Sequence, residues 1–364
     1  MSSRPTSPTT VRDPLTARAR ARGSRAFSLV EILVASVVLL IIMAMLTILV
    51  GQTGKVWKKT TAKIEAFQNA RAAYQTMTAR LSGATLNTYL DYYDASYARR
   101  TPANSATFAP VYYARASDLH FVADRGSVLL PDGDGSAHPG SAVFFQAPLG
   151  YASSSAYAGM PNALNACGYY VAFEAEQTLP SFLQNLTKVR YRYRLLEFLQ
   201  PTDSFALYTT PSSGSNPSAY EAWFRSFLPP AVSRTKAPLR VLAENIVALV
   251  VLPQLSPLDS GTELSPAYSY DSRAGNIQTA TYNQLPPLLR VVMIALDEPS
   301  AQRLSPDGES TQPGVVTAAL NGRFQSSSQL NADIASVTRA FDENHLSYRV
   351  FDSVIAIRGA KWSQ

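Results

Sequence analysis

Residues 32–50 are nineteen consecutive positions with no charge and only Ser36 and Thr47 as polar interruptions. As a helix rising 1.5 Å per residue, the run is roughly 28 Å long, close to the hydrocarbon thickness of a bilayer. Extended back to Phe27 it covers 24 residues with one charge, Glu31, and neither Pro nor Gly. A secretory signal has a shorter apolar region, about 7–15 residues, followed by a small-residue cleavage site. Here the following residues, Gly51-Gln52-Thr53-Gly54-Lys55-Val56-Trp57, make a poor site of that kind. A plain signal anchor fits the length but gives no reason to keep Glu31, because a central charge costs about 2.5–3.5 kcal/mol on insertion scales.

The net charge of +6 is unevenly placed. Residues 1–26 hold six Arg against Asp13, and residues 51–80 hold six Lys or Arg against Glu65, so each segment carries +5. With Glu31 also removed, the chain from Leu81 onward sums to −3. Positive charge therefore flanks the apolar run, and the bulk of the chain is not a nucleic-acid-binding surface. Both flanks are basic, so charge alone does not orient the segment. Of 364 residues, 46% are apolar, which excludes wholesale disorder. Cys167 has no partner within the chain, which excludes a disulfide scaffold and a Cys-rich zinc module.

After Gly51 the pattern becomes amphipathic. Trp57, Thr60, Ile64, Phe67, Tyr74, Met77 and Leu81 recur at helical spacing, and no Pro occurs between Phe27 and Arg100. The expectation is one helix from Phe27 to about Ser82, apolar over 27–50 and an amphipathic stem over 51–82. Beyond it, short β-type runs separated by turn-rich loops predict a β-rich head over 83–364. Strands are expected at 107–113, 119–123, 142–146, 169–174, 189–198, 241–252, 288–296 and 348–357, with a helix at 328–344. Long Ser-, Pro-, Gly- and Tyr-rich stretches at 131–141, 150–166, 201–218 and 253–287 read as loop insertions.

Catalytic chemistry is poorly represented. His120, His138 and His345 are scattered, and no G-x-S-x-G elbow, P-loop or dinucleotide fingerprint occurs. Cys167 lies in a small-residue stretch that reads as a loop, without activating neighbours in sequence. Asp132-Gly133-Asp134-Gly135-Ser136 is the one phrase resembling a calcium loop; it lacks the glutamate at the twelfth position of an EF-hand. Asp132 and Asp134 are weak calcium candidates against a reading as a solvated turn. No cofactor is expected.

The run Arg25-Ala26-Phe27-Ser28-Leu29-Val30-Glu31, followed by its apolar segment, resembles the class III signal of type IV pilins and type II secretion pseudopilins. That resemblance implies cleavage by a prepilin peptidase between Ala26 and Phe27, N-methylation of Phe27, and retention of Glu31 as an assembly residue. Ala26 stands where the family usually has Gly. In the head, Leu242-Ala243-Glu244-Asn245-Ile246 and Leu285-Pro286-Pro287-Leu288-Leu289-Arg290-Val291 resemble strand-opening motifs of the J-type minor pseudopilins. The signal together with Tyr348-Arg349-Val350-Phe351 and Ile357-Arg358-Gly359-Ala360-Lys361-Trp362 resembles the Verru_Chthon cassette protein C family.

The resemblance implies an α+β, pilin-like fold, with the long helix lying on an antiparallel sheet. It implies a structural, non-enzymatic subunit of a secretion or pilus-like filament, processed at a basic leader of residues 1–26. The subunit would sit in the inner membrane, leader cytoplasmic and head periplasmic, among pilin-like subunits and membrane lipid and with no nucleic-acid partner. The alternative is an uncleaved single-pass periplasmic binding protein whose Tyr-rich loops recognise a polymer or protein.

Overall fold

The computed structural model describes residues 28–131, 138–157, 159–176, 187–209, 217–257, 264–265 and 267–362. The chain divides into two compact units, Met1–Lys58 and Lys59–Gln364. Helix α1 (Leu29–Ser82) contributes to both. It opens where the amide N–H groups of Glu31 and Ile32 donate to Ser28 O, at 2.9 and 3.2 Å. It closes where Gly83 and Ala84 donate back to Arg80 O and Leu81 O, each at 3.0 Å. Arg80 in the last turn is placed favourably for the negative end of the helix dipole.

The strands are β1 (Tyr89–Tyr93), β2 (Tyr112–Ala116), β3 (Val122–Arg125), β4 (Ser141–Pro148), β5 (Leu164–Ala175), β6 (Tyr191–Gln200), β7 (Leu239–Glu244), β8 (Ile246–Gln254), β9 (Tyr270–Asp271), β10 (Leu288–Leu296) and β11 (Tyr348–Ala356). The helices after α1 are α2 (Gly126–Leu129), α3 (Pro217–Tyr220), α4 (Ala222–Arg225), α5 (Glu298–Leu304), α6 (Gly314–Leu320) and α7 (Leu330–Glu343). Three sheets form, all antiparallel: β7-β6-β5-β4-β3-β9, β11-β10-β8 and the ribbon β1-β2. The fold is α+β, with an apolar N-terminal helix and antiparallel sheets.

In the second unit, Ala70, Ala73, Tyr74, Met77 and Leu81 of α1 are buried in the main core with Val143 and Phe145 of β4, Tyr169 and Val171 of β5, and Val291 and Met293 of β10. The alternate side chains Phe144, Tyr170, Leu196 and Phe198 enter a second core, closed by Trp223 and Phe224 of α4. Both faces of the six-stranded sheet are thus covered at its centre, which is why β4 and β5 read as continuous apolar runs. Of the expected stem face, Tyr74, Met77 and Leu81 are buried, Phe67 is half-buried and Trp57 is exposed. The side chains of Thr60 and Ile64 lie outside the described ones.

Several expectations require correction. The single strand expected at 241–252 is two strands in different sheets, parted at Asn245, whose φ is +61°. Asn tolerates this left-handed backbone better than most residues. Its N–H donates to Tyr193 O at 2.7 Å and its carbonyl accepts from Leu296 N–H at 2.9 Å, so this one residue ties the two larger sheets together. Cys167, expected in a loop, lies inside β5. The strand expected at 107–113 forms later, at 112–116, and the stretch 253–287 contains β9 and the buried residues Tyr268, Tyr270 and Leu285. β1, α5 and α6 were not legible from periodicity.

Met77 is fully buried where α1 meets the sheets. Met77→Ala should cost about 2–5 kcal/mol. Gln75→Ala, on the exposed face of the same turn, should stay within about 0.5 kcal/mol of wild type. Urea unfolding in detergent solution, followed by tryptophan fluorescence, checks the pair.

Candidate functional site

The apolar part of α1 is the feature that the fold leaves unused. Leu29–Thr53 is a helical stretch of 25 residues whose most apolar 18-residue window has mean hydropathy 3.1, and none of that window is buried by the other described residues. It is the one described helix long and apolar enough to cross a membrane. Between Leu29 and Val50, 17 large apolar side chains stand exposed. Each gains about 1.5–3 kcal/mol on leaving water, so together they outweigh the 5–15 kcal/mol or so that holds a typical domain folded. This helix needs an apolar surrounding that the other described residues do not supply.

The polar groups of the stretch are arranged for that. Ser36 Oγ donates to Leu33 O at 2.8 Å, Thr47 Oγ1 to Met43 O at 2.8 Å, and Thr53 Oγ1 to Leu49 O at 2.9 Å. Each hydroxyl is satisfied by its own helix, so none needs water. Glu31 remains as the ionisable group of the stretch. It is exposed and sits in the first turn, where a carboxylate faces the positive end of the helix dipole. Ala26 and Phe27, the expected processing residues, lie outside the described residues, as do Asp132 and Asp134. Among the described residues, no group of three or more His, Cys, Asp or Glu could hold a metal ion.

The expected chemistry-bearing residues of the head have been drawn into structural networks. His120 is fully buried. Trp223 Nε1–H donates to His120 Nδ1 at 3.0 Å, and His120 Nε2 lies 2.7 Å from Asp271 Oδ1. An acceptor at Nδ1 requires the proton on Nε2, which therefore points at Asp271. Tyr220 OH also donates to Asp271, at 3.0 Å. Burial lowers the His120 pKa against the pull of Asp271, and neither ring nitrogen is open to a substrate proton. His138 packs edge-on against Tyr170 at 5.6 Å, and His345 occupies an exposed turn after α7 with φ +53°. The three histidines thus have separate surroundings.

Cys167 is buried, and burial, followed by the nearby Glu197 charge, pushes its thiol up to about 12. Such a thiol stays protonated and is a poor nucleophile. Glu197 itself is a fully buried carboxylate that sequence reading did not single out. It accepts from Tyr169 OH at 2.7 Å and is ion-paired with Arg80 of α1 and Arg240 of β7. A second network lies along β6, where Arg192 and Arg194 are 2% exposed and face Glu174, Glu244 and Glu298. Alternating Arg at 190, 192 and 194 was a legible signal for this face, since period-two charges in a strand point one way.

No protein-family model, curated protein or solved structure matches the chain.

The His120 arrangement sets a pH dependence. The folded state holds His120 neutral, below the ordinary value of 6.5, so below that pH the unfolded chain binds the proton more readily. The stabilisation is complete above about pH 6.5 and is lost as the pH falls from there through the folded-state value. Asp271 acts in the same direction at lower pH: despite burial, His120 and the surrounding donors hold it below the usual carboxylate range of about 3.8. Unfolding midpoints measured from pH 7.5 to 5 should therefore fall with acid, and His120→Phe should flatten that fall while lowering stability at pH 7.5 by about 1–3 kcal/mol.

Proposed function

We propose that this chain is a minor pilin- or pseudopilin-like subunit, held in the inner membrane by α1 and assembled through it into a filament. One observation carries the reading: an uncovered 25-residue apolar stretch keeps a carboxylate, Glu31, in its first turn, within a helix whose later turns pack on an antiparallel head. A plain anchor gains nothing from that carboxylate. A filament subunit does, because a buried carboxylate in a bundle of apolar helices needs a cation. In this reading the cation is the methylated amine of Phe27 on a neighbouring subunit, created when prepilin peptidase removes the basic leader after Ala26. The head then faces the periplasm and contributes contacts rather than catalysis, consistent with a buried His120 that has no open nitrogen and a buried, protonated Cys167.

Two measurements test it. Mass spectrometry of protein extracted from membranes should find an N-terminus at Phe27 bearing one N-methyl group. Glu31→Ala should fractionate with membranes like wild type, since a costly charge has been removed from the apolar stretch. Its crosslinking to other pilin-like subunits should collapse, because leaving one buried charge unpaired costs about 3–5 kcal/mol. Glu31→Gln should show the same defect to a smaller degree. An intact leader together with wild-type crosslinking of Glu31→Ala would leave the uncleaved anchor as the better description.

A further inference from the structure

Six of the chain's 19 tyrosines fall within residues 89–113, on the ribbon β1-β2 and its connecting loop. The ribbon runs in register from Tyr89↔Ala116 to Tyr93↔Tyr112, so alternate residues share a face. Tyr93, Ala114 and Ala116 lie on one face and pack with Tyr282 in a small core of their own. Leu90, Tyr92 and Tyr113 stand on the other face, 54%, 55% and 60% exposed. Tyr92 and Tyr113 are directly opposed across the ladder. Their ring centroids are 5.0 Å apart, with the ring planes tilted by 41°.

A second tyrosine pair, Tyr97 and Tyr112, has its centroids 5.1 Å apart. There the Tyr97 ring is half-buried and its hydroxyl is held, accepting from Gln278 Nε2 at 2.7 Å. The hydroxyls of Tyr92 and Tyr113 have no such tether among the described residues, and both phenols face water. A phenol that loses one electron and one proton becomes a phenoxyl radical, with its unpaired spin partly on the carbons next to the C–O carbon. Two such radicals held side by side join at those carbons.

The ribbon is also the element that a covalent tie would change most. It is a two-stranded sheet separate from the two larger ones, and such a ribbon is marginal by itself. Its packed face is short, with Tyr93 and Ala116 as its buried side chains. Residues 94–111 connect the strands, and a crosslink between Tyr92 and Tyr113 closes that loop in the unfolded chain as well as in the folded one. No disulfide can do this, because the chain's one cysteine, Cys167, is buried in β5.

We propose that Tyr92 and Tyr113 are a modification site, coupled by a one-electron oxidant of the peroxidase type into a dityrosine that closes the ribbon. Each phenol gives one electron and one proton to the oxidant. The two radicals then form one bond between their Cε carbons. The hydrogen on each of those carbons leaves as a proton, and each oxygen takes one up, which restores both hydroxyls. The chain loses two hydrogen atoms in all, and with hydrogen peroxide as the final acceptor they convert one peroxide into two waters. Both side chains are more than half exposed, so rotation about their own bonds closes the remaining gap without moving the strands. The site is remote in sequence from the apolar stretch of α1 and does not depend on its role.

The test treats the purified full-length chain, dilute in detergent, with peroxidase and hydrogen peroxide, and follows dityrosine by its fluorescence. Trypsin cuts after Arg99 and Arg100, between the two tyrosines, so mass spectrometry should find a joined pair of peptides lighter than their sum by two hydrogens. Fragmentation should place the link on Tyr92 and Tyr113, in protein that remains monomeric. Tyr92→Phe and Tyr113→Phe each keep the ring and remove the phenol; both should hold the wild-type Tm and abolish the joined pair. Tyr97→Phe should leave it at the wild-type level. Oxidised wild type should melt above the untreated chain, a gain that Tyr113→Phe should lack. If either variant at the pair loses the wild-type Tm, the fragment spectrum of the wild-type link decides. Absence of dityrosine, a link found between copies of the chain, or one that survives Tyr92→Phe would overturn the proposal. A link that disappears in Tyr97→Phe would overturn the assignment to this pair.

Discussion

The packing of Tyr74, Met77 and Leu81 against the two larger sheets is the contact on which the head depends. These side chains are buried in one core with inward side chains of β4, β5, β8 and β10, and removing them would uncover part of that core. The contact is directional as well as apolar. Tyr74 OH donates to Val291 O at 2.8 Å and lies 2.7 Å from Ser353 Oγ, while its ring stacks on Phe351 at 5.6 Å. A buried phenol costs free energy unless both its donor and its acceptor are used, so this geometry fixes the rotation of the stem as well as its burial. Arg80, two turns on, adds an ion pair to the buried Glu197. Desolvating such a pair offsets much of its attraction; its consequence is specificity, since any other rotation of the helix would leave Glu197 with one cation fewer.

The same helix serves two solvents. Its buried face in the head is interrupted by polar residues at helical spacing, whereas the stretch from Leu29 to Thr53 is apolar on every side and satisfies its hydroxyls internally. A helix that is apolar all round belongs in an apolar surrounding. Glu31 is the exception in that stretch, and the proposed function takes its meaning from that exception.

In the head, polar groups that would serve chemistry elsewhere serve as joints. His120, Trp223, Tyr220 and Asp271 close one network across β9, α3 and α4. Asn245 joins the six-stranded sheet to the three-stranded one through its backbone, while its side chain reaches Glu298. The change of sheet at Asn245 also leaves the end of β7 beside the turns of α1 that hold Asn69, Ala72 and Thr76.

The apolar stretch, the helical stem, its end near Ser82 and the exclusion of a disulfide scaffold follow from the sequence by itself. Each rests on local periodicity or residue count, which neighbours in space do not alter. Strands β4 to β6, β10 and β11 were likewise legible, because runs of β-branched and aromatic residues bury themselves in whatever partner they find. Tertiary structure alone decided the rest. That 241–252 is two strands depends on one left-handed residue, and Asn is permitted that conformation without being compelled to take it. That Cys167 is inert, that His120 is locked between Trp223 and Asp271, and that Glu197 is buried depend on partners 28 to 151 residues distant. Such contacts leave no local pattern, because burial and pairing are properties of the space between segments and not of the residues within one.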